Sequence, residues 1–150
     1  MIGKITIALV AGVVALIVGV RTIAQRAPRP DRLGVTGGQL TPRPDKPNCA
    51  SSYEDLNPFT YVGDRSEACE ALAGILETWS RTTIIQKTND YIHVEFRSSV
   101  FNFIDDGEFY LPAGETVVHY RSAARSGHYD LGVNASRITE IGARLAESLK

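Results

Sequence analysis

Between residues 91 and 112 the chain reads YIHVEFRSSVFNFIDDGEFYLP, an apolar stretch of strand character that also carries His93, Glu95, Arg97, Asp105, Asp106 and Glu108. Such residues could do three kinds of work. Imidazole and carboxylate suit zinc or iron, and His93, His119, His128 and an aspartate could supply ligands. A carboxylate beside a histidine is a general acid–base device, for which Asp105, Asp106 and Glu108 are the candidates. Arginines facing acids, here Arg97, Arg121 and Arg125, form cross-strand pairs worth roughly 0.2–1 kcal/mol each and serve only the sheet. A second cluster, RSAARSGHYDLGVN over residues 121–134, adds His128 and Asp130. There Arg121, Arg125 and His128 could hold an anion. Equally, the segment could be an ordered loop leading to the last helix, with Asp130 bonding local backbone.

The elements that position these residues follow from periodicity. Asp64 and Glu67 have capping-box spacing, and Cys69, Leu72, Ile75, Leu76 and Trp79 then recur at helical intervals. Residues 82–87, 91–98, 100–111 and 116–125 read as strands. In the second of them Ile92, Val94 and Phe96 alternate with Tyr91, His93, Glu95 and Arg97. Asn134 is placed to cap a final helix, with Val133 and Ile138 as its staple. The order α-β-β-β-β-α, with strands polar on one side, predicts an α+β fold: an antiparallel sheet of about four strands, two helices on its apolar face and the polar face open.

That arrangement weighs against two of the three chemistries. His93 and His119 fall on strands separated by a third, about 9–10 Å apart, too far to share an ion held near 2.1 Å from each ligand. No metal and no cofactor is therefore expected. Adjacent strand residues point to opposite faces, so Asp105 and Asp106 cannot serve one substrate unless the strand bulges. No Ser or Cys stands in a recognisable nucleophile turn.

Residues 5–20, ITIALVAGVVALIVGV, are uncharged and flanked by Lys4 and Arg21. With Met1 to Gly3 and Thr22 to Ala24 they reach the roughly 20 residues a membrane span needs, provided Lys4 and Arg21 snorkel. A cleavable signal peptide is the competing reading, but Thr22-Ile23-Ala24 is a poor cleavage site. The chain thus divides into an anchor (1–24), a Pro- and Arg-rich linker (25–48) and a folded domain (49–150). Seven basic and two acidic residues precede Cys49, against nine and fifteen from Cys49 onward. A domain so mildly acidic lacks the clustered positive charge of a nucleic-acid binder. The arginines after the span favour a cytoplasmic domain, whereas a Cys49–Cys69 disulfide would favour an oxidising compartment. Unrelated buried thiols remain the alternative to that bond.

Several motifs, in order, resemble the uncharacterised family called domain of unknown function 1499. They are residues 48–52 (NCASS), 91–98 (YIHVEFRS), 103–106 (FIDD) with Glu108-Phe109, and 121–125 (RSAAR) leading to 130–134 (DLGVN). The resemblance covers roughly residues 33–145. It implies an exported or membrane-tethered protein of the cell envelope and transfers no reaction. Gly107 departs from the apolar β-branched residue usual in the family, which also implies that the strand continues through Asp106-Gly107 rather than turning there. Ala124 and His128-Tyr129 are further departures.

The sequence therefore predicts a single-pass inner-membrane protein with its domain on the exported side, acting as a binding or structural module whose partner is a protein, lipid or small ligand. The alternative is an envelope hydrolase using Asp105 or Asp106 with a histidine.

Overall fold

The first 25 residues contain no acid and no proline, and long runs of Ile, Val, Leu and Ala favour helix once water is excluded. They form α1 (Ile2–Gln25), which rises about 36 Å at 1.5 Å per residue. Its stretch Ile5–Gln25 is long and apolar enough to cross a membrane. The computed structural model describes residues 2–54 and 56–150, with the backbone alone for residues 2–4. The expected extension of the span through Met1 and the snorkelling of Lys4 lie outside the described residues.

A hairpin follows, β1 (Val35–Thr36) and β2 (Gln39–Leu40), with Val35 opposite Leu40. Its turn is Gly37-Gly38, at φ 62° and 79°. A two-residue hairpin turn needs this left-handed conformation at both positions, and glycine adopts it without steric cost.

The remaining strands are β3 (Cys49–Ser51), β4 (Phe59–Thr60), β5 (Thr82–Lys87), β6 (Tyr91–Arg97), β7 (Ile104–Tyr110) and β8 (Val117–Ala124). All six lie in one sheet with the order β3-β8-β7-β6-β5, and β4 also pairs with β8. The four strands expected from periodicity are the meander β5 to β8. The other two are only two or three residues long, too short to show alternation. They share the outer edge of β8, β3 opposite residues 121–123 and β4 opposite residues 117–118, which covers an edge that would otherwise expose unpaired backbone.

β7 begins at Ile104 rather than Val100, because Asn102 adopts a left-handed conformation (φ 59°) and ends the preceding loop. The strand runs straight through Asp106-Gly107. Its register against β6 is unbroken from Arg97↔Ile104 to Tyr91↔Tyr110, so there is no bulge at the aspartate pair. The irregularity in the sheet lies instead in β5, between Ile84 and Gln86. A Cβ on Gly107 would stand 2.5 Å from Phe96 Cε2 and 2.9 Å from Val94 Cγ2. Gly107→Val should therefore overpack the core and lower stability by about 1–3 kcal/mol, measured by urea denaturation.

Two helices cover the apolar face: α2 (Arg65–Thr78) and α3 (Val133–Ser148). In α2 the Asp64 side chain accepts a hydrogen bond from the Ser66 amide at 2.7 Å. Leu72 and Leu76 then meet Ile92, Val94, Phe96, Phe109, Ile138 and Ile141 in the core. The start of α3 differs from expectation. Asp130 accepts from the amides of Gly132 and Asn134, so Asp130 caps the turn. Asn134 instead turns inward, fully buried, and bonds Ser122 Oγ and the Asn48 carbonyl.

The largest correction concerns the other face. It is not open. Residues 29–40 lie across it as a strap, with β2 packed on β7 and β8 and Leu40 only 3% exposed. His93, Glu95, Asp106, Glu108 and Arg121 are all buried beneath. Polar alternation signals water only when the polar side chains lack partners, and here they have them. Cys49 shares this face, opposite Ala123, while Cys69 lies in α2 on the other. The possible Cys49–Cys69 disulfide is therefore excluded by the intervening sheet, which leaves the alternative of unrelated buried thiols.

Candidate functional site

Antiparallel pairing sets directly opposed residues on one face. The pairs His93↔Glu108, Glu95↔Asp106 and Glu108↔Arg121 thus bring four charged or ionisable side chains and His93 together in the middle of the sheet. Arg125, four residues beyond Arg121 on the same side of the chain, completes the group. Its Nε and Nη2 clamp the two Asp106 oxygens at 2.7 Å each, and Nη2 also reaches Glu95 at 2.6 Å. Glu95 accepts further bonds from Arg97 and, across from the strap, from Arg29, both at 2.9 Å. His93 Nε2 lies 2.8 Å from Asp106 Oδ1.

Glu108 forms a second centre. It is fully buried and takes Arg121 Nη1 at 2.9 Å, the Tyr91 hydroxyl at 2.8 Å and the strap's Gly34 amide at 2.5 Å. Arg29 and Gly34 are thus the two points where the strap is hydrogen-bonded to the sheet's carboxylates.

The electrostatics follow from this pairing. Burial raises the pKa of Asp106, but the bonds from Arg125 and His93 outweigh it and hold the carboxyl below its ordinary range. Glu95 behaves alike, with burial outweighed by Arg29 and Arg125. Burial and the neighbouring Glu108 charge push the Tyr91 hydroxyl far up, so it stays a donor. Charges this deep persist only when paired and hydrogen-bonded.

The other expected residues are elsewhere. Asp105 lies on the helix side of the sheet, where it pairs with Arg137 at 2.9 Å. Burial there raises its pKa despite that arginine. No histidine shares its face among the strands, so the expected Asp105–histidine pairing is corrected. His119 sits toward the far end of the polar face, its Nδ1 3.1 Å from Ser52 Oγ and its ring stacked on Tyr53; burial lowers its pKa. His128 is exposed, edge-on to Tyr129. Asp130 belongs to the α3 cap. The expected anion site of Arg121, Arg125 and His128 is not assembled, because both arginines point into the charge network.

Chemically, a His93–Asp106 pair has the parts of a general base. Its setting opposes that use. The ring is 3% exposed, and Asp106 is held by Arg125 through both oxygens. Within the network, among the described residues, Arg121 Nε is a buried donor without a partner. Arg121 borders a cavity between strap and sheet that is also lined by Arg29, Lys46 and Arg125. The two strap contacts were missed in the sequence, where residues 25–48 read as a Pro- and Arg-rich linker.

Neither thiol is poised to react. Cys49 Sγ donates to the Lys46 carbonyl at 2.8 Å, and burial pushes the Cys69 thiol up. Adding reductant should leave the thermal midpoint unchanged. Both thiols should react with Ellman's reagent only after denaturation.

The fold and its covered face define an α+β module, joined to an apolar helix and built around a largely buried ion network. The chain belongs to the family of proteins of unknown function (DUF1499), whose model matches residues 39–145. A search of curated proteins found no match.

Proposed function

We propose that this chain is a membrane-anchored protein of the cell envelope whose domain is a binding or structural module rather than an enzyme. The observation that carries this reading is the join between anchor and domain. Four residues after α1 ends at Gln25, Arg29 is bonded to Glu95, so the strap ties the sheet directly to the apolar helix. We put the domain on the exported side of the inner membrane, a reading the family resemblance supports, against the pull of Arg21, Arg26, Arg29 and Arg32. A C-terminal reporter active only outside the cytoplasm tests this. Activity supports the exported side, and silence from a well-inserted fusion overturns it.

The binding half of the reading falls on the cavity lined by four cations, Arg29, Lys46, Arg121 and Arg125, against two acids, Asp31 and Asp106, a net positive lining that favours a small anionic group. Inorganic phosphate should raise the thermal midpoint of the full chain, and Lys46→Ala should reduce that rise. A second reading, a hydrolase built on Asp106 and His93, rests on their 2.8 Å contact. His93→Ala separates the two. A catalytic pair loses turnover with the fold intact, whereas a structural network loses thermal stability.

A further inference from the structure

Two loops stand at one end of the sheet: residues 98–103, between β6 and β7, and residues 126–132, between β8 and α3. They carry an unusual share of exposed apolar surface. Leu131 is 97% exposed, Tyr129 73%, Val100 52%, Val133 48% and Phe101 37%, and all five line one shallow depression. Scattered exposed hydrophobics need no explanation, but a contiguous patch marks a surface that meets something apolar. Leu131 also holds a left-handed backbone (φ 56°), uncommon for a residue with a Cβ.

The place of this patch in the fold identifies what it meets. The same end of the sheet carries Glu95 and Arg97, and it is here that Arg29 docks. Arg29 lies four positions past the end of α1, at most about 14 Å of extended chain. Helix and patch therefore leave the domain from one end. Ala24, one residue before the end of α1, is fully buried. Arginines border the same end: Arg21, Arg26 and Arg81 are exposed, and Arg81 Nε donates to the Arg97 carbonyl.

Resting on the reading of α1 as a membrane span, we infer that Val100, Phe101, Leu131 and Val133 dip into the surface of the bilayer that α1 crosses. An apolar tip flanked by arginines is the chemistry of a membrane interface, with side chains among the acyl chains and guanidiniums among anionic headgroups. Tyr129 has the amphipathic character favoured at that depth. The domain sits on the membrane by this end, and the opposite end, with Val62 and the 112–116 turn, faces water.

The test uses the full chain reconstituted in vesicles of phosphatidylcholine and phosphatidylglycerol. Leu9→Cys, Val62→Cys and Leu131→Cys are each labelled with an environment-sensitive fluorophore. Both native thiols are buried, so labelling the folded protein places the dye at the new position. Doxyl-labelled lipids then report contact. The expected result is quenching at position 9 by deep labels, quenching and a blue shift at position 131 with shallow labels, and neither at position 62, which is 85% exposed at the far end. Quenching at position 9 with position 131 behaving like position 62 overturns the inference and leaves the anchor standing. No quenching at position 9 overturns the anchor reading as well. A shift at position 131 that depends on protein concentration and ignores the lipid label also overturns the inference, because the patch would then face another copy.

Discussion

Glu108→Ala is expected to lower the unfolding free energy by about 3–5 kcal/mol, the loss typical of breaking a buried ion pair by removing one partner. Against a total of about 5–15 kcal/mol for a domain, that is a large fraction. The cause is what the substitution leaves behind. Arg121 keeps its charge with its Nε already unpartnered, and the Tyr91 hydroxyl and Gly34 amide lose their acceptor. Glu108→Gln retains an acceptor for those two donors and should cost less than alanine. The double variant Glu108→Leu with Arg121→Met removes both charges and should recover most of the loss, since apolar replacement of a buried pair is often neutral or stabilising. Urea denaturation of the three variants checks this, and no recovery in the double variant would count against a purely structural pair.

Arg125→Ala should have the second large effect and should also change the sign of the pH dependence. In the native chain Asp106 and Glu95 have lowered pKa values. The folded state then binds fewer protons than the unfolded one around pH 4, so these groups contribute stability that is present above that range and lost as pH falls through it. Asp105, raised by burial, acts oppositely: its contribution is greatest when protonated and fades as pH rises past the ordinary aspartate value. Removing Arg125 takes away the largest of the bonds that outweigh burial at Asp106, whereas Glu95 keeps Arg29 and Arg97. Burial then dominates at Asp105 and Asp106. The variant should lose about 3–5 kcal/mol at neutral pH and regain part of it on acidification, where the native chain weakens. Thermal midpoints between roughly pH 3 and 7 decide it. Parallel profiles for the two proteins would mean that Arg125 does not set the charge state of Asp106.

Much of the fold was legible because its signals are periodic. The alternation in residues 91–97 placed His93 and Glu95 on one face, and the meander put His93 and His119 two strands apart, as they are found. The stripe Cys69, Leu72, Leu76 fixed the inward side of α2. The covered face was illegible for a physical reason. Period-two patterning reports which side chains share a face, and it cannot tell a carboxylate facing water from one facing an arginine 2.7 Å away. The partner of that face comes from a segment more than sixty residues earlier, Arg29 against Glu95.

A signal for the strap was nevertheless present. Val35-Thr36-Gly37-Gly38-Gln39-Leu40 has two residues of hairpin-turn type between two short strand-like pairs, and its Leu40 stands out in a Pro- and Arg-rich stretch. Reading residues 25–48 as a linker missed the hairpin. Asn134 misled in another way. It has the right residue type for a cap, but Asp130 takes that role, and Asn134 is spent on Ser122 and Asn48.

The strap also fixes an order of assembly. Residues 29–40 leave the ribosome before any of the strands they cover, because Gly34 waits for Glu108, seventy-four positions later. The last of the covered strands, β8, is completed only at Ala124. Contacts of such long sequence separation form late, after the loop-closure entropy has been met. By then α1 has already emerged, and the strap must wait while the meander builds. During that interval the carboxylates and arginines of the sheet are solvated, and closing the strap is the step that dries them.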